Sequence, residues 1–419
     1  MRYWLLLALT VLILIPDSTT HGQNTAAADV TYSRDVAPLF NSNCVYCHRP
    51  GEVAPFSLMN YKEARPWAKS IRQAVLNRRM PPWQADSQHG SFQGDRMLSR
   101  KDLDTIVAWV DGGSREGNPA DLPPTPQFAE GWSIGTPDLV LTMAAPYTVP
   151  ARGTIPWVDL PSNEYVFPED TWVQAIEIRP GNRAVVHHAI ADAEPPADRP
   201  NATSGNLHLY SPGLEAIVWK EGYGKLLAKG TRIVFGMHYN AIGKEQTDQT
   251  RVGFKFARTP VHTQVNTLVI SNNALLVPPM EDTYEAMAAF QFPADARIQA
   301  FRPHMHVRGK TATASLILPD GQRRVMLHIP RWDDSWQNYY VLSEPASVPK
   351  GAFVEYTGTY DNSPANALNP DPTTPVKYGQ QVWEEMHVLY MTWVTINDKN
   401  KDDTTPVQIP AVQRTPAGR

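Results

Sequence analysis

Residues 44 to 48 read CVYCH, and Cys44 and Cys47 are the only two cysteines in the chain. Two thiols with two residues between them, followed at once by an imidazole, form the pattern of covalent haem attachment: the sulfurs add to vinyl groups and His48 reaches the iron. The same spacing also serves a thioredoxin-like redox pair, which needs a βαβ setting, or half of a zinc site, which needs a second ligand pair nearby. Neither setting surrounds the motif. A sixth ligand is expected from RRMPPWQAD, where Met80 precedes two prolines that must end a helix, with Met97 and His89 as competitors.

A second chemistry sits further along. His304 and His306 lie two apart in FRPHMHVRGK, and in a strand such residues project to one face about 6.6 Å apart, near enough for both imidazoles to reach one metal ion. His187 and His188 in AVVHHAI are adjacent, so a regular strand would turn them to opposite faces. Only a strand end or a bulge lets both bind one ion. His238 in GMHYN could complete a three-histidine set. With both cysteines committed near the N-terminus, thiolate blue-copper and thiolate zinc sites are excluded, leaving copper, zinc, iron or nickel on imidazoles. Met386, in VWEEMHVLY, offers a thioether, a soft donor that favours copper.

The elements that must position these residues are of two kinds. Through residue 118 the apolar period is helical. SRDVAPLF precedes the cysteines, and YKEARPWAKSIRQAVLNRR carries Ala64, Ala68, Ile71 and Val75 on one face. SRKDLDTIVAWVDGG has Ser99 as cap and Gly112 and Gly113 as stop. A proline-dense linker, residues 119–135, follows. Beyond it the period drops to two in many short segments separated by turn residues, with no intervening helices, which predicts β-sandwiches or barrels. About 260 such residues exceed one sandwich of roughly 100, so two units are expected, 136–272 and 273–397, ahead of a disordered polar tail, 398–419.

The start, MRYWLLLALTVLILIPDS, has a basic residue, an apolar run too short to span a bilayer, and small polar residues after it. Residues 1–28 therefore read as a signal peptide, and a periplasmic or secreted location follows. The net charge of −4 with no basic run argues against a nucleic-acid partner. No other segment reads as transmembrane.

Two resemblances sharpen the reading. Residues 30–118 resemble a class I cytochrome c domain, the MPP step being similar to that family's methionine loop. HHA, GMHYN, PHMHVRGK, RWDDSWQNYY and WEEM, in this order over residues 136–397, resemble the copper type II, ascorbate-dependent monooxygenases, the family of peptidylglycine and dopamine hydroxylating enzymes. The implied architecture is a small all-α cytochrome c domain followed by two all-β jelly-roll sandwiches, each holding one copper. His187, His188 and His238 would match the electron-transfer copper. His304, His306 and Met386 would match the copper at which oxygen is activated, and Arg302 and Tyr390 would match positions that bind a substrate carboxylate. Val388 stands where the peptide enzymes carry asparagine.

These implications define the expected function: a copper-dependent monooxygenase that hydroxylates a C–H bond of a small organic substrate with O₂. Its electrons would come from a periplasmic donor, or from ascorbate, through haem c to the three-histidine copper. A haem and copper electron-transfer or copper-binding protein without oxygenation is the alternative. A zinc or iron enzyme on His304 and His306, with Glu384 or Glu385 as general base, is a third. Trp332, Trp336 and Tyr339 are read as packing aromatics.

Overall fold

The computed structural model describes residues 30–128, 131–214 and 216–408, so the expected signal peptide and residues 409–419 lie outside it. A small helical region leads into extensive β-structure. A π-helical turn, Tyr32–Val36, runs into the helix Ala37–Asn43, which ends at Cys44. The long helix expected after residue 60 is divided into Tyr61–Ala64, a 3₁₀ turn Arg65–Trp67 and Ala68–Leu76. Pro66 lies in that turn and has no N–H to donate to the preceding helical carbonyls. Ser99 accepts from the Asp102 N–H at 3.1 Å to cap Arg100–Asp111, and Gly112 follows that helix. The core of the unit is Tyr32, Phe40 and Trp109, with ring centroids 6.0–6.2 Å from the tryptophan.

Between the last two helices the chain leaves the helical unit and straps itself across the β-structure. Phe92 bridges to Leu342, and Gln93 N–H donates to Val341 O at 2.8 Å. Trp83 meets the Tyr340 ring edge-on at 5.1 Å. A sequence reading finds no period in such a segment because it borrows its order from the strand it lies on.

Among the described residues the strands form one nine-stranded sheet, two four-stranded sheets and two small ribbons. Two cores flank the large sheet. One joins strands Leu139–Thr142, Arg251–Phe256, Thr171–Arg179 and Tyr223–Leu227 to the four-stranded sheet containing Val186–Glu194 and Arg232–Tyr239. The other joins Thr263–Ser271, Val388–Thr395, Ala296–His304 and Tyr340–Val348 to the sheet containing Gly309–Ile317 and Phe353–Tyr360. The halves are stitched by two parallel register pairs, Thr263 with Tyr223 and Gln264 with Gly224. The strand preceding residue 272 is paired with Val388–Thr395 along its length, from Val265 with Val394 to Ser271 with Val388.

Residues 398–408 differ from the expected disordered tail. Arg297 donates to the carbonyls of Asn400 (2.8 Å) and Lys401 (2.6 Å), Val407 is buried, and Val218 bridges to Gln408. The segment's backbone carbonyls serve a buried arginine, which needs acceptors where no water reaches. Among the described residues no helix is long and apolar enough to cross a membrane.

Candidate metal centres

The three-histidine set is built on one antiparallel strand pair. His188 lies opposite His238, while Val186 lies opposite Tyr239, so the register slips by one at His187. That slip is a bulge, the feature required for adjacent histidines to face one point. Donor nitrogens of His187, His188 and His238 all lie within 4.8 Å of one another. His187 Nε2 faces the Ser335 carbonyl at 3.2 Å, which places its proton there and leaves Nδ1 as the lone-pair nitrogen, 3.4 Å from His238 Nδ1. His188 Nε2 is buried without a hydrogen-bond partner. Burial, followed by the neighbouring imidazoles, holds His188 well below the usual histidine range and takes His238 down to about 3. All are therefore neutral at pH 7, the form that ligates.

The second set lies where the paired ladder ends. His304 is the last residue of its strand, opposite Val388 on the neighbouring strand, and His306 and Met386 lie just past the pairing on each side. The His304 and His306 ring centroids are 5.1 Å apart. His304 Nδ1 is hydrogen-bonded to Gln337 Oε1 and His306 Nδ1 to Glu384 O at 3.1 Å. An acceptor on each Nδ1 fixes the tautomer with Nε2 bare, the usual arrangement behind a metal-ligating imidazole. Burial and His306 lower His304 to about 3. Glu385 holds the Met386 segment against this pair: its carboxylate accepts from the N–H groups of His306, Arg308 (3.0 Å) and Met386 (2.9 Å). Burial raises the Glu385 carboxyl while those N–H bonds oppose the shift.

One loop serves both sets. Ser335 offers its carbonyl to His187, and two residues later Gln337 binds His304. The strap grips the same loop, since Gln84 Nε2 donates to Asp333 O at 2.8 Å. Trp332 Nε1 donates to the His306 carbonyl at 3.2 Å, so this aromatic, expected only to pack, also ties down a candidate ligand segment.

Arg302 and Tyr390 are brought together, with the guanidinium 3.8 Å over the phenol ring. The arginine is buried and lines a small cavity.

At the CVYCH motif, Cys47 and His48 N–H groups both turn back to the Cys44 carbonyl at 3.2 and 3.0 Å, presenting the motif on a single turn. The sulfurs are thiols, not a disulfide. His48 Nδ1 meets Phe56 O at 3.1 Å, which leaves Nε2 to ligate, and Phe56 stacks on Trp67 at 4.2 Å. Burial pushes the Cys44 thiol up to about 12, opposite to the low value a redox-active thiolate needs. Met80 follows the helix Ala68–Leu76, its N–H turned back to Ala74 O at 3.3 Å. His89, a competing sixth ligand, has its ring 5.7 Å from His328 of the second β-core. Met97 sits in an Asx turn on Asp95. The motif loop is anchored to the first β-core: Glu52 pairs with Arg49 at 2.6 Å and with Arg183 at 3.4 Å, four residues before His187.

Gln337 and the Ser335 carbonyl carry no sequence signal of their own, and Glu385, read from the sequence as a candidate general base, instead accepts from three backbone N–H groups. WEEM and RWDDSWQNYY were legible as stretches, but the partner of each side chain was not.

No family model matches the chain, and no curated protein matches it. Solved structures with some likeness include infectious bursal disease virus Gx strain (9% identity, 64% of this chain and 74% of that chain, TM-score 0.21). PNGF-II in its P21 form shows 10% identity over 61% of this chain and 65% of that chain, with TM-score 0.26. Likenesses at these TM-scores carry no argument about this chain.

Proposed function

We propose that the chain is a copper-dependent monooxygenase with a covalently attached haem, acting on a C–H bond of a small organic substrate. The observation that carries the reading is the loop 333–338, which hydrogen-bonds one histidine of each set, so that two imidazole clusters are built as a single unit. The donor chemistry fits: pre-oriented imidazoles in both sets with a thioether segment beside the second suit copper better than zinc, which takes no thioether in its common sites. His187, His188 and His238 would hold one copper, His304, His306 and Met386 the other, and Cys44, Cys47 and His48 the haem, with Met80 as its sixth ligand.

When bound, the coppers and haem would supply one-electron storage and the activation of O₂. The chain's own part is orientation and exclusion of water. Gln337 and Glu384 O keep the second pair in one tautomer, and Glu385 locks the Met386 segment against His306. The Glu52 to Arg183 pair holds the CVYCH loop beside the strand that carries His187, which supports the helical unit as the donor-facing end of the molecule, with a periplasmic reductant or ascorbate as its partner. The two β-cores are read as jelly-roll sandwiches and the helical unit as a cytochrome c domain on the same resemblance.

Elemental analysis with absorption spectroscopy tests the reading. Two coppers per haem are expected, falling to one in His304→Ala with the three-histidine copper retained. One copper or none in the fully loaded wild type would overturn it. Among the described residues only the three-histidine set gathers three converging imidazoles, and that observation favours a second reading, a haem and copper electron-transfer protein. Two coppers per haem with no O₂ consumption on any C–H substrate would select it.

A further inference from the structure

Where the two β-cores meet, a cavity of about 20 Å³ is lined by Lys225, Arg302, Trp219, Asn206, Thr267 and Tyr390 among others. Lys225 is 1% exposed and Arg302 3% exposed. The Lys225 ammonium has one hydrogen bond, to Thr267 Oγ1 at 2.8 Å, and no carboxylate pairs with it among the described residues. Both terminal nitrogens of Arg302 are buried without a partner, as are Trp219 Nε1 and Asn206 Nδ2. Asp192 is the acid whose charge Arg302 feels, yet no hydrogen bond joins the two among the described residues. The cavity therefore presents two basic side chains and two neutral N–H donors, with no carboxylate hydrogen-bonded to any of them among the described residues. Burying an unpaired cation costs several kcal/mol, and these two sit on the wall of one space.

We propose that this cavity is a site for a halide-sized inorganic anion, with Lys225 and Arg302 as its charged walls and the Trp219 and Asn206 N–H groups as its remaining donors. Size selects the class, because a cavity of this volume takes about one water-sized species. Chemistry selects the charge. A water would have to donate as well as accept, whereas an anion only accepts, matching four unpartnered donor positions. The site differs from the substrate-carboxylate role that resemblance assigns to Arg302 in its second charged wall, Lys225 of the first core, and in its water-sized inner space. It also stands independently of the copper reading, for none of its residues is a proposed metal ligand. The anion would bridge the strand Tyr223–Leu227 of the first core to Ala296–His304 of the second, adding to the two register pairs and the Lys225 to Thr267 bond that already join the halves. Burial pushes Lys225 down to about 7, so a bound anion would restore its charge.

The test is bromide exchange into the full-length protein, read by anomalous scattering in crystals and by ⁸¹Br NMR line broadening in solution. One ordered bromide within contact of Lys225 Nζ and Arg302 is expected, with Lys225→Met weakening binding at least tenfold. Absence of bromide from the wild-type cavity, bromide only at surface positions as an adventitious ion, or binding unchanged in Lys225→Met would each overturn the proposal. Should the variant fail to fold, the position of bromide in the wild type decides alone.

Discussion

The two histidine sets solve one problem by different means. The first draws His188 and His238 from directly paired positions of one ladder and gains His187 through a one-residue slip, so the ladder places two donors directly and sets the third between them. The second begins at the last paired residue of a strand and continues beyond it, where no ladder constrains His306 or Met386. Side chains replace the ladder there: Gln337 on His304, the Glu384 carbonyl on His306, and Glu385 across both segments. A site held by backbone tolerates loss of its neighbours. A site held by side chains does not, but can be adjusted one residue at a time.

Glu385→Ala should separate the two most sharply. It strands three backbone N–H groups around a buried position, at about 3–9 kcal/mol in total given roughly 1–3 kcal/mol for each unsatisfied buried group. The thermal midpoint should fall, and the copper content should drop from two per haem to one, with the three-histidine copper unaffected. Equal loss from both sets would break the comparison, because it would mean that the ladder is not what holds the first.

Gln337→Leu is a narrower perturbation. It removes the acceptor that orients His304 but leaves all three proposed ligands, so copper affinity at the second set should fall about 10–100-fold, the usual range for losing a supporting hydrogen bond behind a ligand. Competition with a Cu(I) chelator would resolve the two affinities. An unchanged second affinity would show that the imidazole is positioned by packing alone.

A third expectation concerns Lys225, on the wall of the cavity between the cores. Lys225 has its folded pKa lowered from the usual lysine value to about 7, so between pH 7 and about 10.5 the unfolded chain binds the extra proton. Stability of the halide-free protein should therefore rise with pH across that window, by about 1.4 kcal/mol per unit from this group, and the contribution should be lost as pH falls to 7. Lys225→Met should flatten that slope in denaturant titrations at several pH values. A slope unchanged by the substitution would show that Lys225 has an anionic partner in the folded chain.

Much of the plan was legible from residue types. Helical and twofold periods separate the N-terminal unit from the strands because each reports which faces a segment buries, and the Ser99 cap and Gly112 stop are read from local chemistry alone. The strap through Trp83 and Phe92 was not legible, since its order comes from Tyr340 and Leu342 some 250 positions away, a separation visible in the Phe92 to Leu342 bridge. The residues 398–408, polar enough to read as a free tail, are held because Arg297 needs their carbonyls.

The sequence by itself determined which donors exist: two thiols with an imidazole, two clusters of histidines, one thioether in WEEM, and the condition that His187 and His188 can converge only at an irregularity. Only the tertiary structure decided that the irregularity is there, that one loop reaches a histidine in each cluster, and that Lys225 and Arg302 share one cavity. The reason is range. Identity and local spacing are properties of neighbouring residues, whereas a register slip, a shared hydrogen-bonding loop and an unbalanced buried charge arise only when segments far apart in the chain are packed together.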